Sequence, residues 1–452
     1  MRYSISNRKS VCQFNYLRGE FFLEKLLIQN GSILTMSTPQ ACIFKGDILV
    51  EGNKIANIGR DLLTDGIDTV INAEDMVVMP GLINCHNHAA MVLLRGYCDD
   101  LRLMEWLSEK IWPAEDRLNG DDVYWGTMLA SAEMIKSGTT TFADMYFFMD
   151  DVATAVQDSG IRAALCQGLL FNDGNGDKRI EATQRLFDNW SGKAEGRITT
   201  MVGPHAPYTC PPDKLKLAME LAKDLDSGIH IHLAETMEEV NQMFNEYGKS
   251  PTKYLADLGL FESHHVLLAH TVNLSRDDIY ILKDLKGGVS HNPVSNQKLG
   301  CGIAPVKELR DLGITVGLGT DGAGSSSTLD MFEEIKAAAW LQKNRLFDPT
   351  VITAYDVLQM ATIEGAKALG LDQEIGTLEQ GKKADIIIID VQKPHLYPQN
   401  DICALLAYSA NGADVDTTII DGKVVMKNRI LLSITEKEVL HKAQQIARKI
   451  LM

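Results

Sequence analysis

Over residues 26–78 short apolar segments alternate with turns: Leu27-Ile28-Gln29-Asn30-Gly31, then Asp47-Ile48-Leu49-Val50-Glu51-Gly52-Asn53-Lys54, then Ile55-Ala56-Asn57-Ile58-Gly59. Apolar runs this short, closed by Asn and Gly, predict strands joined by tight turns. The pattern returns near the C-terminus, where Ala384-Asp385 leads into Ile386-Ile387-Ile388-Ile389 and Thr418-Ile419-Ile420-Asp421-Gly422-Lys423 turns into Val424-Val425-Met426. Together the two blocks, 25–78 and 377–434, predict one small β-sandwich split by a long insertion. Residues 435–452 predict a closing helix, and residues 1–24 stand outside as an N-terminal extension.

Between residues 79 and 376 the pattern changes to short apolar strands separated by amphipathic helical stretches, as parallel β/α units require. The strand ends fall near His86 (after Val77-Val78-Met79), Asp144, Leu170, His205, His232, His270, His291 and Asp321. Eight units are the count of a TIM (β/α)8 barrel, in which catalytic side chains stand at the C-terminal ends of the strands. The expected fold is therefore α/β: a barrel with a small β-sandwich domain built from both chain ends. Six of the eight ends carry a histidine or the Asp321 carboxylate, although the chain has only 11 histidines. A purely structural barrel would not gather polar groups there, because left unpaired they cost stability.

Composition narrows the function. With 45% hydrophobic and 23% charged residues the chain resembles an average folded protein, not a disordered or fibrous one. A net charge of -16 without a basic patch argues against a nucleic-acid polymer as partner and leaves small molecules open. Apolar runs such as 386–389 are far shorter than the roughly 20 residues that span a bilayer. The first 24 residues include Arg2, Arg8, Lys9 and Arg18 and lack the apolar core of a signal peptide, so a cytoplasmic protein is expected. Eight scattered cysteines without a C-x-x-C pair are not a disulfide framework. Self-association as a homo-oligomer is left open.

His86-Asn87-His88 follows a strand, and residues i and i+2 of an extended segment point to one side, so both imidazoles can reach one ion. Alone, such a pair is more often two exposed surface histidines. His230-Ile231-His232 repeats the spacing at the fifth strand end, with both histidines facing the interior and only one needed as a ligand. Asp321, after an apolar run and before Gly322, adds a carboxylate. Three imidazoles and a carboxylate leave room for water, the open arrangement of catalytic zinc.

Pro80-Gly81-Leu82-Ile83-Asn84-Cys85-His86-Asn87-His88, His232-Leu233-Ala234-Glu235-Thr236, Ser290-His291-Asn292-Pro293 and Gly319-Thr320-Asp321-Gly322, in that order, resemble the amidohydrolase superfamily. Within it the chain is similar to the 5'-methylthioadenosine/S-adenosylhomocysteine deaminases from about residue 26 to its C-terminus. The resemblance implies zinc held by His86, His88, His232 and Asp321, with His232 chosen over His230 because it precedes Glu235 by three residues. Binuclear relatives bridge two metals with a carboxylated lysine at the fourth strand end; Gly203-Pro204-His205 stands there, so one metal per subunit is expected.

The same resemblance implies hydrolytic deamination of the adenine ring of a 5'-substituted adenosine: 5'-methylthioadenosine, S-adenosylhomocysteine, 5'-deoxyadenosine or adenosine. Asp321 would take a proton from water, Glu235 would protonate ring nitrogen N1, and His270 would stabilise the oxygen added at C6. Glu115 would accept bonds from the ribose hydroxyls, His205 would donate to adenine N3, and Ser325 is a weaker candidate for N7. Of two arginines that would pair with a homocysteine carboxylate, Arg179 matches one, while Gln167 stands at the other position. A glutamine offers a neutral hydrogen bond where arginine offers a charge-assisted one. Two other readings compete: a related deaminase or dechlorinase acting on guanine, cytosine or a triazine, and a barrel that has lost catalysis and serves as a scaffold. The H-x-E and P-C-x-x-C signature of zinc deaminases that act on nucleic-acid bases is absent.

Overall fold

The computed structural model describes residues 24–451 apart from 64, 172–173 and 264; residues 1–23 of the expected N-terminal extension lie outside the described residues. Strands from both chain ends join one sheet. The first five are β1 (Lys25–Leu34), β2 (Ile43–Glu51), β3 (Lys54–Gly59), β4 (Thr69–Asn72) and β5 (Met76–Pro80). Nine strands of the central region follow: β6 (Leu82–Asn87), β7 (Thr139–Tyr146), β8 (Arg162–Leu169), β9 (Ile198–Thr200), β10 (Gly203–Pro204), β11 (Ile229–Leu233), β12 (Val266–His270), β13 (Gly287–His291) and β14 (Val316–Leu318). The last four are β15 (Ile386–Asp390), β16 (Val415–Ile420), β17 (Lys423–Lys427) and β18 (Ile430–Leu431).

The terminal strands form a single nine-stranded sheet in the order β18-β17-β16-β15-β5-β1-β2-β3, with β4 beside β1. The two blocks meet where β15 runs antiparallel to β5, Ile388 opposite Val78. Alternation along a strand explains the four consecutive isoleucines. Ile386 and Ile388 face a small core with Ile28, Ile33 and Ile48, whereas Ile387 and Ile389 face the large core shared with the central region. A strand covered on both faces reads as an unbroken apolar run, and β5 divides in the same way, Val78 to one core and Val77 and Met79 to the other. The Val77-Val78-Met79 run thus belongs to the nine-stranded sheet, and the strand that delivers His86 starts only after the Pro80-Gly81 break.

The central strands pair in parallel as β6-β7-β8-β10, with β9 also on β8, and as β11-β12-β13-β14. The two sets touch at both edges. His230 N–H donates to the Val202 carbonyl at 2.9 Å on one side, and Asp321 N–H donates to the His86 carbonyl at 2.9 Å on the other. Helices such as Gly120–Lys136, Met149–Ser159 and Pro212–Asp224 connect successive strands. The first of these begins with a reciprocal capping box between Asn119 and Asp122, which satisfies N–H groups that a helix start leaves free.

One buried ion pair ties the two regions together. Arg162 on β8 makes two bonds to Asp385, at 2.7 and 3.0 Å, and one to Asp421 at 3.2 Å. The helix Glu436–Leu451 closes the chain and packs on Gly120–Lys136, with Lys449 bonded to Asp122 at 2.7 Å and Lys136 to Glu436 at 2.9 Å. Among the described residues every cysteine is free, and no helix is long and apolar enough to cross a membrane.

Candidate metal centre

The C-terminal ends of β6, β11, β12 and the turn after β14 converge on one point. His86, His88 and His232 offer ring nitrogens that all lie within 4.8 Å of one another, and so do His86, His270 and the Asp321 carboxylate. His86 Nε2 and His88 Nε2 stand 3.5 and 3.3 Å from Asp321 Oδ1, and His232 Nε2 stands 3.4 Å from His88 Nε2. His86 Nε2 is fully buried without a hydrogen-bond partner. An orphaned lone pair beside two further imidazoles and a carboxylate fits a divalent metal, since burial without a partner is otherwise costly.

Hydrogen bonds behind the rings fix which nitrogen faces inward. His88 Nδ1 donates to the Met145 carbonyl at 2.6 Å and His232 Nδ1 to the His205 carbonyl at 2.7 Å, so each keeps a lone pair on Nε2. His270 is the opposite case. Its Nδ1 accepts from the side-chain amides of Asn292 at 3.2 Å and Asn296 at 2.9 Å, so its proton sits on Nε2, 3.8 Å from Glu235 Oε2. His270 is therefore arranged to donate into the site.

Burial and the His86 imidazole push His88 down to about 4; burial drives His270 down to about 3. These rings are neutral near pH 7, which leaves His88 a lone pair for a metal and His270 an Nδ1 that can accept from Asn292 and Asn296. Burial alone would raise Asp321, but the His86, His88 and His270 rings hold it well below the usual carboxylate range. Ser295 and Ser325 hydroxyls donate to its Oδ2 at 2.6 and 2.9 Å. Glu235 moves the other way: burial first, then the charges of Asp321 and Glu239, raise it well above the ordinary range, so it holds a proton.

Backbone conformation aims these groups. Ala234, His270 and Asp321 have φ of 51°, 75° and 63°, the left-handed region that side chains other than glycine enter at a cost of roughly 1 to 3 kcal/mol each. The turn carrying Glu235 is held by Glu239, whose carboxylate accepts the N–H groups of Ala234 at 2.9 Å and Glu235 at 2.8 Å, and by Asn273, which donates to the Glu235 carbonyl at 2.7 Å. Gly319 is required for a different reason: a Cβ there would lie 2.4 Å from Ser290 Oγ and 2.8 Å from His86 N.

Above the cluster opens a cavity lined by His88, Glu115, His205, His232, Glu235, His270, Asp321 and Ser325, with an apolar wall from Leu103, Trp106 and Trp112. Glu115 sits on its rim, accepts a bond from the Tyr146 hydroxyl at 2.7 Å, and is raised by burial to about 7. His205 Nδ1 lies 2.9 Å from Thr209 Oγ1. Arg179 lines an adjoining outer cavity with Glu115 and Asp116, donates to the Leu170 carbonyl at 2.7 Å, and lies over the Phe147 ring. Gln167 is buried on β8 with its amide on the Gly168 carbonyl at 3.3 Å, and is not part of the cavity wall. Tyr146, Glu239, Ser295 and Asn296, which the sequence did not single out, complete the centre together with Asn292 of the Ser290-His291-Asn292-Pro293 motif and the other histidine of the β11 pair, His230, whose Nε2 is 2.8 Å from His86 Nδ1.

The sequence pattern of the amidohydrolase family matches residues 77–425. The 5-methylthioadenosine/S-adenosylhomocysteine deaminase of Desulforamulus reducens is 50% identical over 431 residues, 95% of this chain and 99% of the relative. That of Syntrophomonas wolfei subsp. wolfei is 49% identical over 94% of this chain and 99% of its own. Among solved structures, a zinc-bound adenosine deaminase from Xanthomonas campestris superposes with a TM-score of 0.90 at 32% identity, covering 94% of this chain and 98% of that one. With the motifs, the strand ends and the histidine cluster in agreement, the chain belongs to the amidohydrolase family, among its 5-methylthioadenosine/S-adenosylhomocysteine deaminases.

Proposed function

We propose that the protein is a cytoplasmic, mononuclear zinc deaminase of 5'-substituted adenosines that prefers an uncharged 5'-substituent. The carrying observation is the convergence of three Nε2 lone pairs and Asp321 at the floor of a cavity that also holds a protonated Glu235 and a donor His270. In this reading β6 to β14, counting β9 and β10 as one interrupted strand, close into an eight-stranded barrel over 79–376. The nine-stranded sheet, 25–78 with 377–434, curves around its small core as a sandwich.

His86, His88, His232 and Asp321 would hold one zinc ion per chain. When bound, the ion supplies a water with its pKa lowered toward about 7. The other roles fall to the chain itself. Asp321, held by the Ser295 and Ser325 hydroxyls at Oδ2 and by the Gly322 N–H at Oδ1, takes a proton from the attacking water. Glu235 gives its proton to N1, which makes C6 electrophilic; the proton taken by Asp321 then passes to the amino group, ammonia leaves, and the remaining hydroxyl proton returns to Glu235, so that water's oxygen stands as the carbonyl. The His270 Nε2–H donates to that oxygen as negative charge develops on it.

Glu115 accepts the ribose hydroxyls. His205 donates from Nε2 to N3 when Thr209 gives its proton to Nδ1, the shorter of the Thr209 contacts, rather than to the Ala206 carbonyl at 3.2 Å. Ser325 reaches N7 only by turning its proton away from Asp321.

Leu103, Trp106 and Trp112 suit a thioether or methyl at the 5' position. A homocysteine carboxylate would have Arg179 alone, in a cavity shared with the Glu115 and Asp116 carboxylates, because Gln167 is turned into the protein. Ammonia release measured across methylthioadenosine, 5'-deoxyadenosine, adenosine and S-adenosylhomocysteine tests this. One missing charge-assisted contact is worth about 1.5 to 3 kcal/mol, so kcat/KM for S-adenosylhomocysteine should be roughly 10- to 100-fold the lower. A preference for S-adenosylhomocysteine would overturn the substrate reading.

A further inference from the structure

We propose that His230 is a positioning residue that fixes which nitrogen His86 turns to the metal, and so sets the affinity of the site. The inference rests on reading His86, His88 and His232 as ligands. His88 and His232 are held by main-chain carbonyls, at Met145 and His205, which no side-chain substitution removes. His86 has no such carbonyl. Its Nδ1 lies 2.8 Å from His230 Nε2, while its own Nε2 is buried, unpartnered and 3.5 Å from Asp321 Oδ1.

For His86 to offer a lone pair on Nε2, its proton must sit on Nδ1 and His230 must accept it at Nε2. His230 then carries its own proton on Nδ1, where Cys166 Sγ lies 3.6 Å away, an ordinary separation for sulfur. Cys166 in turn donates its S–H to the Asp144 carbonyl at 3.3 Å. Every donor in the line His86, His230, Cys166 and Asp144 meets one acceptor, and the line ends on a carbonyl that can only accept. The reverse direction fails at both ends. It would place the His86 proton on Nε2, pointing at the Asp321 contact point, and would ask Cys166 to donate to His230 with a proton already used on Asp144.

The placement of His230 is fixed by the strand. On β11 it lies two residues before His232, so both side chains face the same way, and its N–H is bound to the Val202 carbonyl at 2.9 Å. With Nε2 engaged by His86, His230 is not itself a ligand. The His-x-His pair thus has divided labour: one ring binds, and the other orients a ligand from a different strand.

Two measurements test this. Zinc affinity, read by chelator competition, is compared for the native protein, His230→Gln and His230→Leu. The leucine variant, which leaves the His86 Nδ1–H without an acceptor, should bind zinc about 10- to 100-fold more weakly, the usual effect of losing a partner behind a ligand. The glutamine variant, whose carbonyl can accept that proton, should recover most of the loss. A general packing defect would lower the melting temperature of both zinc-free variants without separating their zinc affinities. Imidazole ¹⁵N spectra of the zinc-loaded native protein should show His230 protonated at Nδ1, a readout that holds even if the leucine variant does not fold. Native affinity in His230→Leu, or a proton on His230 Nε2, overturns the proposal. A native protein that takes up no zinc would instead overturn the ligand assignment beneath it.

Discussion

Replacing Glu235 with glutamine separates catalysis from metal binding and folding. The amide is nearly isosteric, and the backbone that carries it stays pinned by Glu239 and Asn273. Glu235 is absent from both groups of converging ligand atoms, so zinc content should not change. What disappears is a proton donor at the ring nitrogen. Positioned acid-base groups contribute about 100- to 10,000-fold, so kcat should fall by that factor, roughly 2.7 to 5.4 kcal/mol of barrier. The assay is the ultraviolet change as methylthioadenosine becomes its inosine analogue, run beside metal analysis and a melting curve. Because Glu235 acts in its protonated form and burial raises it, the native rate should decline on the alkaline side as that proton is lost, and the variant should lack this limb. A variant retaining a tenth or more of the native rate with zinc intact would remove Glu235 from the mechanism.

Glu115, raised to about 7 by burial, is ionised only as pH climbs through that value, and the ionised form is the better acceptor for ribose hydroxyls. Native kcat/KM should therefore fall below about pH 7, and a limb that persists unchanged in Glu115→Gln would assign it elsewhere. Arg179→Gln should lower kcat/KM for S-adenosylhomocysteine by about 10-fold or more and leave methylthioadenosine little changed; equal effects on both substrates would refute the carboxylate argument. Arg162→Leu leaves Asp385 buried without its cation and Asp421 with Lys383 alone, at 3.5 Å, and should cost about 3 to 5 kcal/mol in denaturant titration; a loss under about 1 kcal/mol would count against the reading that Arg162 joins the two regions.

What the sequence discloses here follows from local chemistry. An apolar run that stops at a histidine or an aspartate marks both a strand and the end at which polar side chains gather, which is why the positions of His86, His232, His270 and Asp321 could be read directly. The Val77-Val78-Met79 run looked like part of the same element, because periodicity does not say which sheet a strand joins; β5 pairs with β15, some three hundred residues away. The blocks at the two chain ends were legible as strands, but their merger into one hydrogen-bonded sheet depends on that long-range pairing. Spacing put His230 and His232 on one side without distinguishing them, since the difference lies in what stands behind each ring. Asn296, Ser295 and Glu239 gave no signal at all, and Asn292 stood in the Ser290-His291-Asn292-Pro293 motif with no role attached to it. In sequence they are ordinary loop and helix-start residues, and only the fold turns them toward His270, Asp321 and the Glu235 turn. Gln167 was read as facing the substrate, whereas its amide is bonded to the adjacent carbonyl.

The most direct test of the account is to strip the protein of metal and add zinc back stepwise while following ammonia release from methylthioadenosine. Activity should be absent without metal and rise linearly to a plateau at about one zinc per chain, with Asp321→Ala showing neither tight binding nor turnover. Turnover by the metal-free protein, a plateau only at two equivalents, or a zinc-loaded protein that releases no ammonia from any adenosine would contradict it.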